Sequence, residues 1–328
     1  MSKLVTIYGG AGFVGRYIAR RLAKQGWRVR VACRRPNEAI FVRPYGVPGQ
    51  VEPVFCNIRD DGSVRAAMLG ADAVVNCVGT FSRIGRNNQE AVHVEGAGRI
   101  ARIAADLGVG QLVHVSAIGA RADGPSIYCR TKAAGEKAVR EAFPAAVILR
   151  PSVIFGIEDG FFNKFGGMAT LSPILPVAKA DTRFQPVYVD DVAQAAVKAV
   201  NGQAEPGVYE LGGLEVASFR DLMKKMLGVI QRRRLVLNVP TFAMKALAFG
   251  CDMVEAGTLG LVTNRVITRD QLNTLGHDNV VAPGAQGLAD LGVEPTPMDL
   301  ILPEYLWRFR PSGQFAAIKA SAKNLKKA

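Results

Sequence analysis

A glycine-rich turn directly after the first apolar segment limits the folds open to this chain more than any other stretch. Residues 3–8 are typical of a short buried strand, and residues 9–15 read GGAGFVG before an amphipathic helix begins. This GxxGxxG spacing permits a tight turn at Gly9, close approach of a phosphate at Gly12 and close packing of helix on strand at Gly15. Free N–H groups at the start of the helix favour a pyrophosphate there. We therefore expect a dinucleotide to contact Gly9, Gly12, Phe13, Val14 and Gly15.

Short apolar strands alternate with helical patterns along the first half of the chain. The pattern predicts strands over residues 3–8, 27–33, 51–56, 73–77, 111–115 and 146–149. It predicts helices over residues 13–25, 63–69, 90–107 and 128–142. Strands that alternate with helices through short links form a parallel sheet with helices on both faces. The expected fold class is therefore α/β, a doubly wound parallel sheet of the Rossmann type.

The alternation weakens after residue 150. The pattern there predicts a strand over 208–211 and helices over 190–200, 219–228 and 241–255. Ser218 is a suitable N-cap for the second of these helices. We expect a Rossmann domain over residues 1–155, a smaller C-terminal lobe over 156–311 interleaved with the sheet, and a basic tail over 312–328.

The composition argues against several classes of protein. The formal net charge of +13 favours an acidic partner or a phosphorylated ligand, but no helix-turn-helix, zinc-finger or RNA-binding pattern accompanies it, so we expect no nucleic-acid partner. The five cysteines form no CxxC pair, which favours reduced thiols in a cytoplasmic protein and no metal site. The sequence has neither an apolar leader nor an uncharged apolar run of about 18 residues, so we expect no signal peptide and no transmembrane segment.

The end of the second predicted strand indicates which dinucleotide the site prefers. NAD-selective sites place an acidic residue there to hold the ribose 2′-hydroxyl. This chain has Arg34 and Arg35 instead, with no acidic residue before Glu38. Guanidinium groups grip a phosphate in a fork, so the pair favours NADP(H) over NAD(H). The alternative is that both arginines are only solvated.

Three residues form a candidate reductase set. Ser116 stands at the carboxyl end of a predicted strand, where ligands bind in open α/β sheets. Tyr128 and Lys132 are four residues apart at the start of a predicted helix, so they share a face. An ammonium beside a phenol favours the phenolate, so Tyr128 is expected to give its proton to a carbonyl. Lys132 would also bond the nicotinamide ribose, and Ser116 would orient the substrate oxygen.

The GxxGxxG turn, Ser116, the YxxxK pair and the segment 150–156 together resemble the short-chain dehydrogenase/reductase superfamily, in its extended or atypical branch. The resemblance implies three further groups of cofactor contacts. They are Pro151 and Val153 beside the nicotinamide, Asn57 and Ile58 beside the adenine, and Val78 and Gly79 near the ribose.

Segments in both halves are similar to one subgroup, the NADPH-binding accessory subunits of respiratory complex I and their bacterial relatives. These segments are 114–117, 128–136, 155–159, 185–192, 267–271 and 288–292. Those beyond residue 185 discriminate best, because many reductases share the nucleotide half. The resemblance implies a tightly bound NADPH without established turnover. It also implies peripheral contact with the cytoplasmic face of the inner membrane (the matrix side in mitochondria), and complex I subunits near the quinone site as partners.

Two other functions stay open at this point. The chain could be a free NADPH-dependent reductase or epimerase-like enzyme that acts on a carbonyl or sugar-nucleotide substrate, with Tyr128 as the acid. It could also be a redox-sensing regulator that binds NADP(H) and a partner without chemistry. The retained Ser-Tyr-Lys set speaks against pure sensing, but it does not distinguish an enzyme from an accessory subunit.

His93 and the apolar stretch 241–262 each allow two interpretations. His93 stands where many members of the superfamily have asparagine, and it is either a helix residue bonded to a neighbouring backbone group or part of a proton relay. The stretch 241–262 is either a core-forming lid of the second lobe or a surface that contacts a membrane or a membrane subunit. Arg232–Arg234 and the lysine-rich tail would help the second arrangement.

Overall fold

The computed structural model describes residues 2–240, 244 and 269–315 of the chain. Seven strands form its central sheet: β1 (Leu4–Tyr8), β2 (Arg28–Cys33), β3 (Val51–Phe55), β4 (Ala73–Asn76), β5 (Gln111–Val115), β6 (Val147–Pro151) and β11 (Gly207–Leu211). They are ordered β11-β6-β5-β4-β1-β2-β3, and every neighbouring pair is parallel. The carboxyl ends of all seven strands therefore lie along one edge, where the predicted site residues follow them.

Helices cover both faces of this sheet, which confirms the predicted doubly wound class. The α-helices of the described residues are α1 (Phe13–Lys24), α2 (Asp61–Met68), α3 (Ala97–Asp106), α4 (Ile127–Ala142), α5 (Phe162–Leu171), α6 (Val189–Val200), α7 (Phe219–Val229), α8 (Arg269–Thr274) and α9 (Met298–Leu306). Successive residues of a strand point to opposite faces. Ile7 accordingly packs with α1 and α6, whereas Tyr8 packs with α2 and α3.

The predicted helix over 90–107 divides into two parts. Residues Glu90–Gly96 form a π-helix, and α3 continues from Ala97. A π-turn holds one more residue than an α-turn, and such turns are frequent at functional sites. Here the π-helix carries His93, whose ring is buried.

The second half of the chain builds a separate apolar cluster from α5, α7 and α9. Ser218 caps α7 as predicted, because its hydroxyl accepts a hydrogen bond from the Asp221 N–H at 3.1 Å. The short strands of this half are β7 (Ile154–Phe155), β8 (Ile174–Val177), β9 (Arg183–Phe184), β10 (Val187–Tyr188), β12 (Ala217–Ser218) and β13 (Leu235–Asn238). They pair as β7 with β10, β9 with β12 and β8 with β13. The domain boundaries at residues 155 and 311 stay a prediction.

Several sequence predictions fall on residues that the structure does not describe. They are the helix over 241–255, both interpretations of 241–262 and most of the basic tail. No helix within residues 2–240 or 269–315 is long and apolar enough to cross a membrane.

Candidate nucleotide-binding site

The glycine turn has the geometry that the sequence predicts. Gly9 adopts a φ of +75°, and its N–H donates to the Ala32 carbonyl at 3.0 Å, which ties the turn to the end of β2. A Cβ on Gly15 would lie 2.5 Å from the Gly9 carbonyl oxygen, so only glycine fits where α1 meets the turn. Gly12 precedes α1, and no side chain caps the N–H groups of that helix. This cradle fits a pyrophosphate.

Arg34 and Arg35 lie at the end of β2, next to that cradle, and both are exposed. Arg35 pairs with Glu38 at 2.9 Å, and the Arg35 side chain keeps 75% of its surface exposed. Exposed pairs of this kind contribute about 0–1 kcal/mol, so a phosphate could recruit Arg35 at little cost. The geometry leaves both guanidinium groups available for a 2′-phosphate.

The residues expected near the adenine and ribose also follow their strands. After β3, the Asn57 N–H donates to the Ser63 hydroxyl at 2.9 Å, and Ile58 packs against the core beneath α2 and α3.

After β4, the Val78 N–H donates to the Asn76 side chain at 3.0 Å. A Cβ on Gly79 would lie 3.8 Å from the Lys132 ammonium nitrogen, so the turn after β4 meets the predicted reductase set.

Lys132 is buried at the start of α4 and donates from Nζ to the Val115 carbonyl oxygen at 3.2 Å. Burial lowers the pKa of its ammonium to about 8, although the Glu136 carboxylate acts in the opposite direction. Burial also raises the pKa of the Tyr128 hydroxyl, whose ring centroid lies 6.0 Å from Lys132 Nζ. Burial thus opposes the effect expected of Lys132 on the Tyr128 hydroxyl, and the predicted role of Tyr128 as a proton donor to a carbonyl stays a prediction.

Ser116 follows β5 as predicted, and its hydroxyl has a partner that the sequence pattern does not reveal. It donates to the carboxylate of Glu136, and that carboxylate also accepts two hydrogen bonds from Arg150 at 2.7 and 2.9 Å. Both Ser116 and Glu136 are buried. The role predicted for Ser116, orienting a substrate oxygen, is not supported by this arrangement, because its proton already bonds a carboxylate. Glu136 follows Lys132 by four residues, which was the available sequence signal.

His93 has partners on both ring nitrogens. Nε2 accepts a hydrogen bond from the Thr80 N–H at 3.1 Å, so the neutral ring carries its proton on Nδ1 and donates to the Thr131 hydroxyl at 3.0 Å. Burial, together with the charge of Lys132, lowers the pKa of His93 to about 3. These contacts match the backbone-bonded interpretation and leave neither nitrogen free for a proton relay.

Acidification should destabilise the fold, because His93 and His114 are both buried and burial lowers each pKa to about 3. In the unfolded chain a histidine titrates near pH 6.5, so the stabilisation is complete above that pH and is lost as the pH falls from about 6.5 towards 3. When the pH is lowered from 7 to 5, each of the two rings should lower the free energy of unfolding by about 2 kcal/mol. Urea unfolding of the wild type and of His93→Gln at both pH values measures this. Equal pH dependence in the two proteins would contradict the assignment.

Phe81 contacts Tyr128, which the sequence pattern does not predict. Its ring stacks on Tyr128 with a centroid distance of 4.9 Å, and it follows directly after the turn that His93 holds. Phe81 is 59% exposed, so it lies over Tyr128 from the solvent side. An aromatic residue directly after a strand-end turn was the only signal in the sequence. The stack restricts access to Tyr128 from that side.

Comparison with known proteins agrees with this geometry. The model of the NAD dependent epimerase/dehydratase family matches residues 5–212. The chain is 33% identical over 316 residues to a mitochondrial protein of Arabidopsis thaliana, NADH dehydrogenase [ubiquinone] 1 alpha subcomplex subunit 9, covering 94% of this chain and 79% of that one.

A further relative is the ceramide reductase of Caulobacter vibrioides, 34% identical over 194 residues, which are 59% of this chain and 60% of that one. Among solved structures, a dTDP-glucose 4,6-dehydratase from Streptomyces venezuelae, solved with NAD and TYD bound, aligns with a TM-score of 0.70 at 18% identity over 96% of this chain and 99% of that one. The fold is thus the NAD(P)-binding fold of these proteins. The chain belongs to the NAD dependent epimerase/dehydratase family and is homologous, over most of its length, to the subunit 9 protein of Arabidopsis.

Proposed function

We propose that this chain is an NADP(H)-binding accessory subunit of respiratory complex I, with a structural or regulatory nucleotide. The similarity to the Arabidopsis subunit carries the proposal, because it covers 94% of this chain and so extends well beyond the residues 5–212 that the general family shares. Its partners would be complex I subunits near the quinone site. It would lie at the cytoplasmic face of the inner membrane.

The site itself is better arranged to hold a nucleotide than to turn one over. The backbone of residues 9–15 would bind the pyrophosphate, and Arg34 and Arg35 the 2′-phosphate. Bound NADPH would offer a hydride at its nicotinamide. Burial disfavours the phenolate form of Tyr128, the residue predicted to give its proton to a carbonyl. The ring of Phe81 also stacks on the Tyr128 ring. The hydroxyl of Ser116 is already bonded to Glu136.

The proposal is tested by isolating complex I from respiratory membranes and measuring whether this chain and NADPH co-migrate with it in fixed stoichiometry. The variant Tyr128→Phe should still bind NADPH and assemble. A chain that is absent from the complex, exchanges NADPH rapidly and oxidises it only with a carbonyl compound would contradict the proposal. That result would favour the free carbonyl reductase, an alternative that the similarity to ceramide reductase supports.

Replacing both Arg34 and Arg35 by alanine should weaken NADPH binding by about a hundredfold or more and leave NADH binding unchanged, since each of the two charge-assisted bonds to a phosphate contributes about 1.5–3 kcal/mol. Titration calorimetry with both nucleotides measures the difference. Arg233→Ala is a matched control, because this residue lies just before β13 and outside the proposed site. Equal losses for NADPH and NADH would assign the arginines a role other than 2′-phosphate recognition.

The pair β8 and β13 presents a face suited to peripheral membrane contact. Leu235 pairs with Ile174 across the two strands, and both side chains are exposed, as is Leu237 two residues on. Leu171, at the end of α5, is 90% exposed. Arg232–Arg234 directly precede this apolar face. Exposed leucines beside clustered arginines favour an anionic lipid surface.

The double variant Leu235→Glu, Leu237→Glu should reduce co-sedimentation with vesicles of anionic phospholipid about tenfold, because it removes apolar area and adds repulsive charge. Leu69→Glu is the matched control, since Leu69 is 58% exposed but lies at the end of α2. Raising the salt concentration should weaken binding of the wild type. If both variants bind vesicles like the wild type, this face does not contact lipid.

A further inference from the structure

The stretch that begins with α8 reaches back to the helix that carries Tyr128. The carboxylate of Asp270 accepts hydrogen bonds from the Ile127 N–H at 2.7 Å and from the Tyr128 N–H at 3.2 Å. Asp270 is 6% exposed, so both bonds are shielded from water. A residue 142 positions away in sequence thus fixes the backbone of Tyr128.

These bonds provide acceptors for N–H groups in the first turn of α4 that the N-cap residue does not bond. Ser126 is the N-cap of α4, but its hydroxyl accepts only from the Cys129 N–H at 3.1 Å. The N–H groups of Ile127 and Tyr128 would otherwise need water or an anion. A buried carboxylate there also meets the positive end of the helix dipole. Asp270 therefore orients the first turn of α4 more firmly than Ser126 alone can.

Asn279 makes a second connection of the same kind. Its Oδ1 accepts from the Val153 N–H at 3.0 Å and from the Ser152 hydroxyl at 2.7 Å. The Asn279 backbone is itself held, because its N–H donates to the Arg183 carbonyl at 2.8 Å. Asn279 thus fixes the segment directly after β6.

We propose that Asp270 and Asn279 are positioning residues for the nicotinamide half of the bound nucleotide. The inference rests on the proposed NADP(H) site, in which Tyr128, Lys132 and residues 151–153 face the nicotinamide and its ribose. Each of the two side chains bonds the backbone of one of these segments. The adenosine half is built from residues 9–15, 34–35 and 57–58, and in the described part of the chain neither side chain bonds any of them.

The division between the two halves of the nucleotide gives a selective test. NADPH carries the nicotinamide, whereas 2′,5′-ADP carries only the adenosine half with its 2′-phosphate. Titration calorimetry of the full chain should show that Asp270→Ala and Asn279→Ala each weaken NADPH binding about tenfold, the loss expected for hydrogen bonds to a charged or buried partner. Binding of 2′,5′-ADP should stay within about twofold of the wild type. Asp270→Asn, which keeps an accepting oxygen, should restore most of the NADPH affinity.

Asp290→Ala is the matched control, because the Asp290 carboxylate also accepts a backbone N–H, that of Gly287 at 2.7 Å, but within its own turn. This variant should change neither affinity. Equal losses of NADPH and 2′,5′-ADP in Asp270→Ala, or no loss of either, would overturn the inference. A wild type that binds neither ligand would instead overturn the proposed function.

Hydrogen exchange on the wild type provides a second measurement that needs no variant to fold. NADPH should slow hydrogen exchange at the amides of Ile127, Tyr128 and Val153, whereas 2′,5′-ADP should not. The reason is that only the nicotinamide half would contact the segments that Asp270 and Asn279 hold. Equal protection by the two ligands would overturn the inference.

Discussion

Replacing Gly15 by alanine should abolish NADPH binding and lower the free energy of unfolding by about 2 kcal/mol. The added Cβ would lie 2.5 Å from the Gly9 carbonyl oxygen and 2.6 Å from the Gly10 Cα, both of which are backbone atoms of the turn. The turn and α1 would have to separate, and the N–H groups that face the pyrophosphate would move with them. Titration calorimetry with NADPH and urea unfolding measure the two effects.

Gly167→Ala is a matched control for that experiment. Gly167 lies within α5, and a Cβ there would meet no atom within 4 Å. Alanine in a helix interior is more favourable than glycine by roughly 0.5–1 kcal/mol, so this variant should be at least as stable as the wild type and bind NADPH normally. If Gly15→Ala bound NADPH like the control, the glycine turn would not be the phosphate cradle.

Glu136→Ala should lower the free energy of unfolding by about 3 kcal/mol, the lower end of what removal of one partner from a buried ion pair costs. The Glu136 side chain is 1% exposed and holds Arg150 by two hydrogen bonds, and Ser116 loses its acceptor as well. The loss stays at the lower end because Arg150 keeps a second carboxylate, Glu210, at 3.4 Å. Urea unfolding at pH 7 measures it.

The same helix supplies the comparison. Glu141 pairs with Lys137 at 3.8 Å, and both side chains are mostly exposed. Exposed pairs of this kind contribute little, so Glu141→Ala should change stability by less than about 0.5 kcal/mol. Similar losses in the two variants would mean that the buried ion pair does not account for the effect of Glu136, since alanine favours a helix more than glutamate does.

The parts of the site that depend on local pattern could be predicted from the sequence. The turn at Gly9, the start of α1 and the shared face of Tyr128 and Lys132 each follow from residues within a few positions of one another. The strand-end positions of Ser116 and Gly79 follow from the alternation of strands and helices. Each of these placements agrees with the structure.

The parts that depend on tertiary contacts could not. Nothing near Ser116 in sequence shows that its hydroxyl bonds Glu136, 20 residues away. The spacing of Tyr128 and Lys132 shows that the two residues share a face, but it does not reveal the burial that raises the pKa of the Tyr128 hydroxyl. Phe81 contacts Tyr128 from a loop, and Asp270 contacts it from the second half of the chain. No periodic pattern in the sequence predicts contacts of this kind.

The place of β11 in the sheet has a consequence for how the protein is made on the ribosome. β11 pairs with β6, and α6 packs against α1, so both complete the nucleotide half from residues 189–211. A nascent chain that has emerged only to residue 155 has an open strand edge at β6 and an uncovered apolar face on α1. Such edges pair with other chains and aggregate. We therefore expect the sheet to be completed only after residue 211 has left the exit tunnel, and we expect the β6 edge to be prone to aggregation until then.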